Sequence, residues 1–262
     1  MIDYGFTYSD LEYFLLVFVR ISSFVSTAPF FSMTNVPRQF KAGFAFWVSV
    51  VVFYGINPHA EIEYSSIISF SLIIMKEAFA GIVIGLGANI CMSILSLAGK
   101  IADTETGLSM VQLFDPTTRE MTGFTGNIYT YSVTLIMIVT NMHHIILKTF
   151  IDTYTLIPIG TVAFNSEKVT QVVIKFLGDY ISIAFRFCLP VVAALMILNA
   201  FLGILAKTSP QMNMFAVGIQ LKLLLGLSVI FLTVSLMPAL SEYIFKEMRM
   251  MMEAMIVVLS GS

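Results

Sequence analysis

The sequence predicts an all-α protein of the integral-membrane type, with about six long apolar segments, several of them bent or broken. Three observations carry this expectation. Of the 262 residues, 58% are hydrophobic. Only 11% are charged, against roughly 25% in a soluble domain. Mean hydropathy is +0.90, which places the chain with membrane proteins and not with globular proteins that enclose a large core.

The apolar segments run over about 11–31, 42–56, 67–98, 124–147, 172–206 and 215–237. A spanning helix needs about 20 such residues to cross a hydrocarbon core of about 30 Å. The first segment meets that length. Met1 to Asp10 before it carries acids and no Lys or Arg, whereas a signal peptide needs a basic start, so the segment is expected to be retained. The second is short for a span. The third and fifth, as continuous helices, would reach about 48 and 52 Å at 1.5 Å per residue. Tilt absorbs part of such an excess, and Pro190 is placed to bend the fifth. The fourth carries Thr125, Asn127, Tyr129, Thr130, His143 and His144 among others, and needs polar neighbours for them. The adjacent histidines point about 100° apart on a helix and do not easily share one metal. They suit a polar helix end, with a proton relay as the other reading. After the sixth segment, Ser241 to Ser262 alternates Glu242, Lys246, Arg249 and Glu253 with Met and aliphatic residues, the pattern of an amphipathic helix.

Such uneven lengths suit helices packed on other protein better than a uniform bundle facing lipid. The loop charges agree. With six spans, Lys148, Lys168, Lys246 and Arg249 fall on one side, and Arg38, Lys41, Lys100, Arg119 and Lys207 on the other. That near-tie sets no orientation.

Several function classes are excluded. The net charge of −2 gives no electrostatic support for a nucleic-acid partner. Cys91 and Cys188 lie in apolar runs and imply neither a disulfide framework nor a metal site. No phosphate loop, HExxH or GxSxG is present. The chain therefore reads as a non-enzyme without cofactors. Asp103 and Glu105, two apart, read as the solvated face of a polar loop.

Four basic side chains lie inside the apolar segments: Arg20, Lys76, Arg186 and Lys222, with Glu77 beside Lys76. A charge at the centre of a spanning helix costs roughly 2.5–3.5 kcal/mol on insertion scales, so these groups are expected to face protein or a water-filled path. Lys76 and Glu77 point about 100° apart and need separate partners; Lys76 either joins an ion pair or snorkels near the helix entrance. Gly81 and Gly85 form a GxxxG step, which favours close helix approach. Gly218 and Gly226 extend that packing set in the sixth segment. The connection over about 99–123 encloses an apolar patch, Met110, Val111, Leu113 and Phe114, followed by Asp115 and Pro116. Such a patch either forms a dewetting constriction in a pore or anchors its loop on neighbouring helices.

Taken together, the motifs resemble the FliR/SctT family of type III secretion export-gate subunits over nearly the whole chain. They are Arg20-Ile21-Ser22, Ala28-Pro29 and Val36-Pro37, then Lys76-Glu77 with Gly81 and Gly85. Gly99, Asp103, Gly107 and Ser109 lead into Phe114-Asp115-Pro116, and Leu156, Pro158 and Gly160 follow. The set closes with Leu205-Ala206-Lys207, the run from Ser209 to Phe215, and Gly218, Lys222 and Gly226-Leu227. Glu105 departs from the family, which usually has Gln there. The resemblance implies a structural subunit of a flagellar protein export gate in the bacterial inner membrane at the basal body. Its partners would be FliP and FliQ, together with FlhB and FlhA, and unfolded flagellar proteins would pass through. It also implies a FliP-like part, 1–170, followed by a FliQ-like helical hairpin and tail, 171–262, as one continuous unit. The 99–123 stretch maps onto the family's plug loop, which moves the apolar patch toward the constriction reading. Arg20, Lys76, Glu77, Arg186 and Lys222 then become assembly contacts. The rival expectation is a secondary transporter or proton-conducting protein, motivated by the intramembrane charges and the histidine pair; the lack of an internal repeat counts against it.

Overall fold

The computed structural model describes residues 7–33, 36–56, 62, 64–110, 113–114, 121–163, 166–209, 211 and 213–260. Apart from one two-residue ladder, the regular structure among them is helical, which bears out the all-α expectation. In chain order the helices are α1 (Tyr8–Thr27), α2 (Arg38–Gly55), α3 (Ile67–Thr106), α4 (Phe124–Val139), α5 (Met142–Ile151), α6 (Thr153–Leu156), α7 (Ser166–Thr208), α8 (Met214–Thr233) and α9 (Met237–Leu259). The ladder pairs β1 (Leu113–Phe114) with β2 (Met121–Thr122), with Leu113 opposite Thr122 and Phe114 opposite Met121.

Six spans is too many for the described residues. Three stretches are long and apolar enough to cross a membrane: Ile67–Thr106, Glu167–Thr208 and Ala216–Leu259. A fourth arises only if Phe124–Val139 and Met142–Leu156, bent by 74°, count as one. The physical reasons are local. Helix α1 holds Asp10, Glu12 and Arg20 within its 20 residues, and α2 begins with Arg38, Gln39 and Lys41. In the fourth segment Asn141 takes a left-handed backbone, φ 58°, and turns the chain between α4 and α5. Asn tolerates that conformation better than most residues.

The third segment is longer than its apolar run. Helix α3 has 40 residues and continues through Gly99 and Asp103 to Thr106, about 60 Å at 1.5 Å per residue. It stops where Gly107 adopts φ +82°, a left-handed position that ends helices. The connection therefore begins at 107, not 99. Hydropathy falls at Lys100, but polarity does not break a helix; the glycine does.

Backbone proximity divides the chain into two compact units: Met1–Ile90, Asn141–Lys175 and Lys246–Ser262 in one, Cys91–Thr140 and Phe176–Phe245 in the other. In the first, Tyr13, Leu16, Val17, Arg20, Ile21 and Phe24 of α1 are buried, a three-to-four-residue stripe that faces the core. Phe14 packs edge-on against Phe46 and Phe53 of α2, at 5.6 and 5.8 Å between ring centroids. Phe24 stacks on Phe150 of α5 at 3.8 Å. The C-terminal part of α9 buries Met248, Met251, Met252 and Met255 on this unit. The Ala163 N–H donates to the Leu259 carbonyl at 3.0 Å. The amphipathic tail thus lies on its own chain. Its outer ion pair, Arg249 with Glu253 at 2.8 Å, is exposed and adds only a few tenths of a kcal/mol by analogy with other i,i+4 pairs, about 0.3–0.5.

The second unit holds the end of α3, α4, α8 and most of α7. Tyr129 of α4 meets Phe187 of α7 edge-on at 4.9 Å. Along α7 large apolar side chains such as Ile174, Ile181, Phe185, Leu189, Ile197 and Phe201 are exposed in the single chain. A helix this apolar on its open side belongs inside a larger assembly or a membrane.

Candidate functional site

Two clusters of buried polar groups stand out, one in each unit. The first is built on Arg20 and Glu77, which are 1% and 0% exposed. Arg20 falls on the core stripe of α1 between Leu16 and Phe24, so helical periodicity turns its side chain inward. Its Nε donates to Glu77 Oε2 on α3, and its Nη1 donates to the Ile157 carbonyl at 2.9 Å. The other carboxylate oxygen, Glu77 Oε1, accepts from the Gly160 N–H at 2.9 Å. The Arg20 guanidinium carbon lies 4.6 Å from the centroid of the Tyr154 ring, within cation–π range. The Tyr154 hydroxyl donates to the Val17 carbonyl at 3.2 Å. Gly160 presents its N–H from φ +85°, a backbone setting that favours glycine. One ion pair therefore ties α1, α3 and the turn after α6 together. Arg20 Nη2 is buried with no partner.

The GxxxG step continues this contact. Glu77, Gly81 and Gly85 are four apart and share one face of α3. A Cβ at Gly81 would collide with Ser23 Oγ and the Arg20 carbonyl, and one at Gly85 with Thr27 Oγ1. The backbones of α1 and α3 approach as closely as glycine allows.

The second cluster is centred on Asp103, 1% exposed. Thr125 Oγ1 donates to Asp103 Oδ1, and the Thr125 N–H lies 3.2 Å from both carboxylate oxygens. Asp103 is therefore not on a solvated loop face. It is a buried helical residue that satisfies the first turn of α4, where backbone N–H groups lack helical partners. A Cβ at Gly123 would collide with Asp103 Oδ2, and one at Gly99 with the backbone of Gly126. Gly226 of α8 stands against Thr106 in the same way.

The remaining residues divide as follows. Lys76 and Arg186 are exposed and Lys222 is half-buried in the single chain, and none of the three has an ion pair among the described residues. Gly218 has room, its added Cβ lying 3.6 Å from Leu202 Cδ1. Of the apolar patch, Val111, Asp115 and Pro116 lie outside the described residues, and Met110, Leu113 and Phe114 are placed by their backbone: Met110 ends a short 3-10 turn, the other two form β1. The rings of His143 and His144 lie 4.1 Å apart between centroids, tilted by 40°, and no group of three metal-ligating side chains occurs among the described residues. The sequence did not reveal Thr125, Ile157 and Tyr154 as partners. The signal lay in the placing of small residues: Gly99 with Gly126, where two backbones meet, and Gly160 after Pro158, where a left-handed turn presents its N–H to Glu77.

The chain matches the family of bacterial export proteins, family 1, over residues 11–248. It is 35% identical over 231 residues to the flagellar biosynthetic protein FliR of Bacillus subtilis, covering 84% of this chain and 88% of that one. The FliR protein of Aquifex aeolicus is 28% identical over 225 residues, with 85% of each chain covered. That of Escherichia coli is 25% identical over 242 residues, covering 91% and 90%.

Proposed function

Because the chain belongs to the FliR family of bacterial export proteins, we propose that it is a structural subunit of the flagellar export gate, helps form its channel, and contributes the 107–122 segment as the element that closes the pore. At the coarser level the chain is a helical membrane component of flagellar protein export. The finer reading places it in the inner membrane at the basal body. It joins FliP and FliQ subunits, contacts FlhB and FlhA, and admits unfolded flagellar proteins. Energy comes from other components.

The observation that carries this reading is the unfinished surface. Helix α7 leaves an apolar face open, with Arg186 exposed among Ile181, Phe185 and Leu189. A charge in that setting suits a neighbouring subunit that supplies a counter-charge better than lipid. The FliP-like part over 1–170 and the FliQ-like hairpin over 171–262 would each be covered by the subunits they resemble. The transporter alternative loses Arg20 as a free intramembrane charge, since Glu77 holds it within the chain.

Covered and open faces behave differently toward a methyl group. An added Cβ at Gly178 or Gly203 meets nothing within 4 Å in the single chain. Gly→Ala inside a helix stabilises by roughly 0.5–1 kcal/mol when space is free. Gly178→Ala and Gly203→Ala are expected to leave the isolated chain unharmed and to lower the yield of complex with FliP and FliQ. Unchanged complex yield from both would argue that lipid, not protein, covers α7.

The closing role is tested by conductance. Replacing Met110 and Leu113 with Gly in the assembled gate should raise ion leak several-fold, because a dewetted constriction depends on apolar bulk. Unchanged conductance, with the complex intact, overturns it.

A further inference from the structure

We propose that Asp103 is the positioning residue that holds the end of α3 to the start of α4, and so keeps Gly107 and Gly123, the two roots of the 107–122 segment, together. The bearing of this tether on the pore rests on the closing role proposed above; the tether itself rests on the second polar cluster.

Among the described residues only two carboxylates are buried, Glu77 and Asp103. Glu77 has a cation. Asp103 has none, and it is hydrogen-bonded by Thr125 and by the Gly126 N–H at the start of α4. A buried carboxylate without a counter-ion is costly, and the first-turn N–H groups of α4 offset part of that cost through hydrogen bonding and the helix dipole. The geometry around it is specific. Asp103 and Gly99 are four apart, on one face of α3, and both touch the 123–126 turn. Gly123 must lack a side chain for Asp103 Oδ2 to sit where it does. Just beyond, Thr106 donates to the Asp103 carbonyl at 3.2 Å and lies against Gly226. The chain then leaves α3 at Gly107 in a left-handed turn and returns through β2 to Gly123 beside Asp103. Departure and return points are therefore joined by a single carboxylate.

The conservative variants are Asp103→Asn, Thr125→Val and Thr125→Ser. Hydrogen exchange on the purified full-length chain reads the tether directly. Asp103→Asn and Thr125→Val should speed exchange at least tenfold at 107–110 and 121–127, with α1 and α7 unchanged. Thr125→Ser, which keeps the hydroxyl, should match the parent. Exchange that is unchanged, or faster throughout the chain, overturns the proposal. Conductance of the assembled gate separates this idea from the closing role. If Met110 and Leu113 variants leak but Asp103→Asn exchanges like the parent, the closing role stands and the tether falls. If Asp103→Asn loosens 107–127 but neither set leaks, the tether stands and the closing role falls.

Discussion

Glu77→Ala is expected to destabilise the chain by about 3–5 kcal/mol, the range for removing one partner of a buried ion pair. The loss is large because two groups are orphaned together. Arg20 would keep its charge at 1% exposure with only the Ile157 carbonyl and the Tyr154 ring as partners, and the Gly160 N–H would lose its acceptor. For a protein of ordinary marginal stability, about 5–15 kcal/mol, a loss of about 3–5 kcal/mol is a fifth of the total or more. The measurable result is loss of detergent-soluble folded protein and loss of motility in cells that depend on this chain. The double variant Arg20→Met, Glu77→Leu tests the cause, because a buried pair replaced by apolar groups of similar volume is often neutral or better. Recovery of both folded protein and motility would show that the pair is structural. Recovery of the fold without motility would show that the charges serve export directly, and would return the proton-relay reading to consideration.

This pair also marks what the sequence could and could not reveal. Arg20 stands out as a cation in an apolar run, and its place on the Leu16–Phe24 stripe marks it as inward-facing. Its acid lies 57 residues away, and no local spacing rule links them; Lys76, the sequence neighbour of Glu77, instead faces outward. Hydropathy located the helices by composition and so misjudged their ends. It ended α3 at the polar residues near 99, although the helix runs on to Thr106, and it did not register Asn141 as a break. Asp103 was illegible for the same reason: a carboxylate among polar residues looks solvated until the helix carrying it is packed against α4. Lys76, Arg186 and Lys222 differ again: they are exposed or half-buried and form no ion pair among the described residues.

Gly81→Ala is the second substitution with a large expected effect, although it adds a single methyl group. The new Cβ would strike the Arg20 carbonyl as well as Ser23 Oγ, and would stand 3.1 Å from the Phe24 nitrogen. Two of those three atoms are backbone, so a side-chain rotation cannot relieve the clash and α1 must move. Overpacking of this kind costs about 1–3 kcal/mol in well-packed cores. Here it would also pull Arg20 from Glu77, one turn away on the same face of α3. The two substitutions should therefore couple. In a double-mutant cycle, Gly81→Ala with Glu77→Ala should cost at least 0.5 kcal/mol less than the sum of the single effects, because either change alone already separates α1 from α3. Gly178→Ala supplies the reference, since its methyl enters open space. Equal thermal stability of the Gly81→Ala and Gly178→Ala chains would mean that α1 yields freely, and the close approach of these helices could then not be what holds Arg20 against Glu77.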